Sequence, residues 1–231
     1  MNTSFLSFYI SYTYNVPEMA IQRSSTGKIY LLLTSILGWF ALIAQWYIYT
    51  TTASFGLTEK LIRYFSYFTI LTNLIVAICS TTLLLDVPGK AGRFFKQYKT
   101  LTAITVYILI VGIIYNILLR SLWAPQGMQR VVDELLHTVI PLLFLIFWLL
   151  FAPKSYVRIK SIFSWLFYPL IYIIFILIRG AYSSYYPYPF VNVNELGYAN
   201  VTVNSIVITA AFLAVSFVLV AISNFMSRKR E

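Results

Sequence analysis

The chain has 231 residues, of which 60% are hydrophobic and 10% are charged, and its mean hydropathy is +0.78. A soluble domain is roughly 45–50% apolar and about 25% charged, so an ordinary water-soluble globule is excluded. The single cysteine, Cys79, excludes an intramolecular disulfide, and the single histidine, His137, excludes a zinc site built from several histidines of one chain. We attribute the net charge of +10 to the cytoplasmic loops of a membrane protein rather than to nucleic-acid binding.

Six apolar stretches are long enough to cross a bilayer, which takes about 20 helical residues. They are continuous rather than alternating, so they favour helices over barrel strands. The sequence therefore predicts an all-α, polytopic bundle of six transmembrane helices within residues 28–225. We expect the helices near 29–50, 62–85, 98–119, 131–151, 160–179 and 202–225.

The distribution of basic residues predicts the orientation of this bundle. With the N-terminus inside, twelve of the 17 Lys and Arg residues fall on the inner side, as cytoplasmic loops require. We therefore expect both termini in the cytoplasm, and location in the cytoplasmic membrane if the protein is bacterial. Residues 226–231 form a basic tail. Residues 1–27 are an arm, either interfacial or an extension upstream of a start at Met19.

Polar residues cluster in the outer half of the predicted bundle. Thr69 lies roughly 10 Å below the outer end of the second helix, and His137 roughly 9 Å below the same end of the fourth. Polar groups within a membrane are costly, and we take them as candidates for function. The others in the outer half are Gln45, Asn73, Asn116, Arg120, Arg179 and Asn204.

The spacing of Asp133 and His137 is i,i+4, which places both on one helical face. A carboxylate there can orient the imidazole and stabilise its protonated form. A hydroxyl needs a neighbouring base to act as a nucleophile, and His137 lies at the depth of Thr69. Structural roles also fit, namely hydrogen bonds between helices for Thr69 and Asn73, and helix-terminus electrostatics for Asp133.

Two motifs resemble those of a known membrane-protein family. The second-helix stretch at 63–74, RYFSYFTILTNL, and the fourth-helix stretch at 133–142, DELLHTVIPL, resemble the androgen-induced-gene family, including its bacterial six-helix relatives. The match to the fourth helix continues through 148–154. The run YPYPF at 186–190 resembles the bacterial branch. Altogether the resemblance covers roughly residues 28–225.

This resemblance implies a multi-pass hydrolase of fatty acid esters of hydroxy fatty acids. It implies a membrane-embedded threonine nucleophile at Thr69, a histidine at His137, and neither a metal nor an organic cofactor. Thr72, one turn further, is the alternative nucleophile. In this mechanism His137 accepts the proton of Thr69, Asp133 orients His137, and Asn73 or Asn116 donates a hydrogen bond to the oxyanion.

The expected partner is thus a membrane lipid or another amphipathic acyl ester, with no nucleic acid. Two other classes of function fit the same residues. A small-solute or proton-linked transporter or channel would use the polar cluster as a substrate or proton site. A lipid-binding scaffold would use no catalysis at all. A transporter needs polar groups that continue to the inner face, and the sequence has few of them.

Overall fold

The computed structural model describes residues 24–153 and 156–228, and within these ranges it contains helices and turns and no β-strand. This confirms the predicted all-α class. Most of the expected N-terminal arm, including Met19, and the last three residues of the basic tail lie outside the described residues.

The first half of the described residues begins with a long helix and continues through a broken one. Ser24 caps the first helix by accepting a hydrogen bond from the backbone of Gly27 at 3.2 Å. In chain order these helices are α1 (Ser25–Thr52), α2 (Leu57–Tyr64), α3 (Phe68–Leu84), α4 (Gly89–Lys96) and α5 (Tyr98–Ile114). A π-helical turn, Tyr115–Leu119, and a 3-10 turn, Arg120–Leu122, extend α5.

The second half contains a helix that widens in its middle and a helix that bends. The widening is a π-helical turn, Leu135–Val139, between α6 (Gly127–Glu134) and α7 (Ile140–Leu150). The chain continues through α8 (Ser161–Trp165) and α9 (Phe167–Ser183), and then through a 3-10 turn, Pro189–Val191. The last helix, α10 (Val193–Arg228), bends at Gly197, where φ is +70°.

Five described helical stretches are long and apolar enough to cross a membrane. They are Ser25–Thr52, Tyr98–Leu122, Gly127–Leu150, Ser161–Ser183 and Val193–Arg228. The pair α2 and α3 qualifies only when taken together, and it is bent by 76°. The expectation of a continuous second helix over 62–85 is therefore wrong, because the chain breaks between Tyr64 and Phe68.

The central helix of the bundle is α5, which packs against α3, α7 and α10. The helix α1 packs along α3, and Gly38 allows a close approach because a Cβ there would lie 3.2 Å from the Cβ of Ala77. By contrast, α9 meets the bundle largely through aromatic rings, such as Tyr168 and Tyr172 against Phe68. This separation leaves space between α9 and its neighbours.

Candidate active site

The break between α2 and α3 places the N-terminus of α3 inside the bundle. Thr69 is the second residue of α3, where a backbone N–H has no partner in its own helix. That N–H donates instead to the hydroxyl of Tyr188 at 3.3 Å. On the other side of the break, the carbonyl of Ser66 accepts a hydrogen bond from the hydroxyl of Tyr172 at 2.8 Å. Two distant tyrosines thus satisfy backbone groups that the break releases.

The π-helical turn between α6 and α7 carries His137, and Pro141 follows it as the second residue of α7. Proline has no N–H. Residue 141 therefore donates no helical hydrogen bond to the carbonyl of Leu136 or His137. Asn73 donates to the Leu136 carbonyl at 3.2 Å, and Asn116 donates to the His137 carbonyl at 3.2 Å. The two asparagines therefore hold the segment that presents His137.

This role leaves neither amide free to donate the hydrogen bond to an oxyanion that is expected from the sequence. The Asn73 amide also donates to the carbonyl of Thr69 at 2.9 Å, and the Asn116 amide also donates to the carbonyl of Gly112 at 2.9 Å. Both hydrogens of each amide are then used. Asn73 and Asn116 support the site, but the donor role expected from the sequence needs another residue.

Thr69, His137 and Asp133 form a continuous relay. The Thr69 Oγ1 lies 3.4 Å from the His137 Nε2, and the opposite ring nitrogen, Nδ1, lies 3.2 Å from a carboxylate oxygen of Asp133. The Nδ1 is also 3.0 Å from the backbone carbonyl of Asp133. These acceptors place the ring proton on Nδ1, so Nε2 is left with a lone pair toward the hydroxyl. The distance to the hydroxyl is slightly longer than a catalytic hydrogen bond, so proton transfer requires the two atoms to approach each other by a few tenths of an ångström.

Tyr115 holds the other side of this relay. Its ring stacks on the His137 imidazole with centroids 3.7 Å apart, and its hydroxyl donates to the Asp133 carboxylate. Trp123 in turn donates to the Tyr115 hydroxyl at 3.0 Å. Tyr115 thus restrains the face of the imidazole by stacking, and it also holds the carboxylate that lies beside the Nδ1. Tyr115 was not identified from the sequence, where it is one aromatic residue of an apolar helix.

The structure separates the two candidate threonines. Thr69 is 8% exposed and faces His137, whereas Thr72 is fully buried and its hydroxyl lies 3.1 Å from that of Tyr168. Of the two, Thr69 is therefore the one with a base beside it. Asp133 is 3% exposed, and it is the seventh residue of α6 because that helix begins at Gly127. The favourable dipole effect is confined to the first turn, so helix-terminus electrostatics does not account for Asp133.

Tyr188 is a site residue that the sequence did not single out. It belongs to the segment between α9 and α10, and its hydroxyl lies 3.4 Å from the Thr69 Oγ1 as well as accepting from the Thr69 backbone. Burial raises the pKa of the Tyr188 phenol to about 12, so the phenol keeps its proton at neutral pH. The run of tyrosines and prolines in this segment is typical of an interfacial aromatic belt. For that reason Tyr188 is not selected as a site residue from the sequence alone.

An ionic cluster anchors the segment that carries Tyr188. Arg63 and Arg179 bind the same carboxylate oxygen of Glu59, at 2.6 and 3.2 Å, and both guanidinium groups lie over the ring of Tyr185, at 4.1 and 4.8 Å. The Tyr185 hydroxyl donates to that of Tyr67 at 2.8 Å. Burial raises the pKa of Tyr185, which keeps this donor protonated. Arg179 thus serves as an anchor of this segment.

Glycine and asparagine complete the anchoring of this segment. Gly180 lies within α9, and a Cβ there would come within 2.0 Å of the Tyr186 ring, so only glycine leaves room for that ring. Asn204 donates to the carbonyl of Phe190 at 2.9 Å. Gln45 lies elsewhere and accepts a hydrogen bond from Gln129 at 2.9 Å.

A cavity of about 270 Å³ opens beside Thr69. It occupies the space between α5, α9 and α10, and the segment around Tyr188 closes one part of it. Its wall is almost wholly apolar, with Ile110, Leu170 and Ile208 among the side chains. The described residues contain no group of three or more His, Cys, Asp or Glu side chains arranged to hold a metal ion.

Comparison with known proteins adds no assignment to this geometry. No family model, no curated protein and no solved structure matches the chain.

Proposed function

We propose that the protein is an integral-membrane hydrolase of amphipathic acyl esters, with Thr69 as nucleophile and His137 as general base. The observation that carries the proposal is the Thr69–His137–Asp133 relay, which opens into an apolar cavity. A hydroxyl becomes an effective nucleophile when a base can accept its proton and a third group orients that base. The resemblance of the second- and fourth-helix motifs to the androgen-induced-gene family agrees with this proposal.

Each residue of the relay has a defined task in this reaction. The Thr69 hydroxyl attacks the ester carbonyl while its proton moves to the His137 Nε2, and the Asp133 carboxylate stabilises the imidazolium that results. His137 then protonates the departing alcohol. Water, with His137 again as base, releases the acyl group from Thr69. The acyl chain lies in the cavity, whose apolar wall takes it out of water or lipid headgroups.

The transporter alternative lacks a comparable supporting observation. Several buried hydroxyls away from the relay donate to carbonyls one turn back in their own helices, as Thr34, Thr102 and Thr105 do at 2.7–2.9 Å. Such bonds satisfy a hydroxyl without forming a path for a solute. The cavity beside Thr69 is apolar, which suits an acyl chain better than an ion.

Covalent labelling tests the proposed nucleophile. An alkyl fluorophosphonate should react with the purified protein in lipid nanodiscs, and mass spectrometry should locate the adduct on the peptide that contains Thr69. The Thr69→Val variant should not be labelled, whereas Thr72→Val should be. Absence of labelling, or an adduct on Thr72, would contradict the assignment.

The bent pair α2 and α3 counts as one span in our proposal, which gives six spans and places both termini in the cytoplasm. The excess of basic residues on the side of the N-terminus supports this orientation. A reporter fused after Glu231 should therefore remain in the cytoplasm. Translocation of the reporter would place Thr69 and His137 in the opposite leaflet without separating them.

The cavity should determine how long an acyl chain the protein accepts. Ile208→Trp fills part of the cavity, and loss of space for two methylenes costs about 1.6 kcal/mol, which is more than a tenfold change in binding. We expect KM to rise about tenfold or more for a long-chain ester and to stay unchanged for an acetyl ester. The control is Val207→Trp, since Val207 is 62% exposed and does not line the cavity. Equal effects of the two variants on both esters would show that the chain binds elsewhere.

A further inference from the structure

The proposed reaction needs a hydrogen-bond donor for the negative oxygen that forms on the ester carbonyl. Donors fixed in advance around that oxygen are among the largest contributions to catalysis of acyl transfer. Asn73 and Asn116 are committed to backbone carbonyls. The donor must therefore come from another group beside the Thr69 Oγ1.

Two donors lie next to each other at that position. The Thr69 backbone N–H is in the first turn of α3, where the helix end is positive. The Tyr188 hydroxyl lies 3.3 Å from this nitrogen and 3.4 Å from the Thr69 Oγ1. A single oxygen attached to a carbon on Oγ1 can therefore accept from both groups.

The ring of Tyr188 is held firmly enough to act as a fixed donor. It stacks on Phe190 with centroids 5.1 Å apart and meets the Tyr67 ring edge to face at 5.7 Å. Tyr67 accepts a hydrogen bond from Tyr185, which lies under the guanidinium groups of Arg63 and Arg179. The hydroxyl thus projects from a packed aromatic cluster rather than from a free loop.

We propose that Tyr188 is a catalytic residue whose phenol, together with the Thr69 backbone N–H, donates a hydrogen bond to the oxyanion. This inference rests on the proposed ester hydrolysis and adds a residue to it. In the structure the Tyr188 hydroxyl accepts a hydrogen bond from the Thr69 N–H. When the ester carbonyl enters, its oxygen becomes the acceptor of both donors.

The proposed reaction needs no reactant other than the ester and water. The Thr69 oxygen forms a bond to the carbonyl carbon, its proton goes to the His137 Nε2, and the carbonyl π electrons move to the oxygen. Tyr188 keeps its proton and donates only a hydrogen bond. On collapse those electrons return, the bond to the alcohol oxygen breaks, and the imidazolium gives its proton to the alcohol. Hydrolysis of the acyl-threonine repeats the same sequence with water as nucleophile.

Tyr188→Phe removes the donor and keeps the ring. Loss of one oxyanion donor lowers kcat by about 10²- to 10³-fold in other acyl-transfer enzymes, and we expect a fall of that size with KM nearly unchanged. The control is Tyr182→Phe, which removes a phenol hydroxyl near the C-terminal end of α9, where Tyr182 is 90% exposed. That variant should keep kcat within a few-fold of the wild type.

A second measurement covers the case in which Tyr188→Phe fails to fold. Trifluorotyrosine introduced at position 188 keeps the ring and the hydroxyl but lowers the phenol pKa toward neutrality. Because a phenolate cannot donate, kcat of this protein should fall as the pH rises through that pKa, while the wild type shows no such fall. A tyrosine that only packs against its neighbours would leave the pH profile unchanged.

The outcomes separate this inference from the function on which it rests. Ester hydrolysis by the wild type with undiminished kcat in Tyr188→Phe, or with an unchanged pH profile in the fluorinated protein, overturns the role of Tyr188 alone. Failure of the wild type both to hydrolyse a long-chain ester and to be labelled at Thr69 overturns both proposals. A selective loss of kcat at position 188 supports both.

Discussion

Replacement of Thr69 by valine is expected to lower the proposed ester hydrolysis by roughly 10³-fold or more, because it removes the proposed nucleophile and preserves the shape of the side chain. Thr69→Ser should retain measurable turnover, since it keeps the hydroxyl. His137→Gln should fall to the same level as Thr69→Val, because an amide is not a base near neutral pH. The measurement is release of fatty acid by purified protein in nanodiscs.

The double variant gives the sharper result. Nucleophile and base act as a unit, so removal of both should cost no more than removal of either one. Thr72→Val is the matched control, since it is the same change one turn away at a hydroxyl that bonds to Tyr168 rather than to His137. Full turnover in Thr69→Val would remove Thr69 from the mechanism. Additive losses in the double variant would show that the two residues act separately.

Stability must be followed in the same variants. The Thr69 hydroxyl lies 3.4 Å from both His137 and Tyr188, so valine there loses weak hydrogen bonds worth about 1 kcal/mol or less. The unfolding temperature should therefore change little. A role in helix packing alone would give the same small change in stability and would leave the chemical step unchanged.

The helices follow from the apolar stretches, but the breaks in them do not. Continuous hydrophobic runs satisfy the length that a bilayer requires, and each predicted helix has a counterpart in the structure. The break between Tyr64 and Phe68 contains neither glycine nor proline. The backbone groups of Ser66 and Thr69 at this break bond to Tyr172 and Tyr188, which lie 106 and 119 residues further along the chain. No local pattern encodes a break that depends on such distant partners.

Part of the candidate site could be predicted from the sequence, because helical geometry alone relates the positions of its residues. Helical spacing placed Asp133 next to His137, and matched depth placed Thr69 opposite, because both arguments depend only on the rise of a helix. The tasks of Asn73 and Asn116 required knowledge of the π-helical turn. Pro141 was the available signal, since a residue without an N–H releases carbonyls one turn earlier.

Tyr115 and Tyr188 could not be selected from the sequence because the chain contains 19 tyrosines. Membrane proteins place many tyrosines at the interface, so composition alone does not distinguish a belt residue from a site residue. The distinction lies in their partners. Tyr188 contacts Thr69, and Tyr115 contacts both His137 and the Asp133 carboxylate.

Substitution of Asp133 by asparagine should lower kcat on the order of 10²- to 10³-fold while KM stays nearly constant. The change removes the carboxylate that stabilises the imidazolium during attack. The loss should be smaller than for His137→Gln, because the backbone carbonyl of Asp133 still accepts from Nδ1 at 3.0 Å. KM should hold because Asp133 does not line the cavity.

Glu134 provides the matched control for this charge. It is the next carboxylate along the helix, but it binds Arg120 at 2.6 Å and makes no hydrogen bond to the imidazole. Glu134→Gln removes the same charge from the same helix and should leave kcat within a few-fold of the wild type. Equal losses in the two variants would indicate a general effect of charge on the helix. A loss confined to Asp133→Asn is expected if the carboxylate acts through His137, and Tyr115→Phe should then reproduce part of it, since its hydroxyl holds that carboxylate in place.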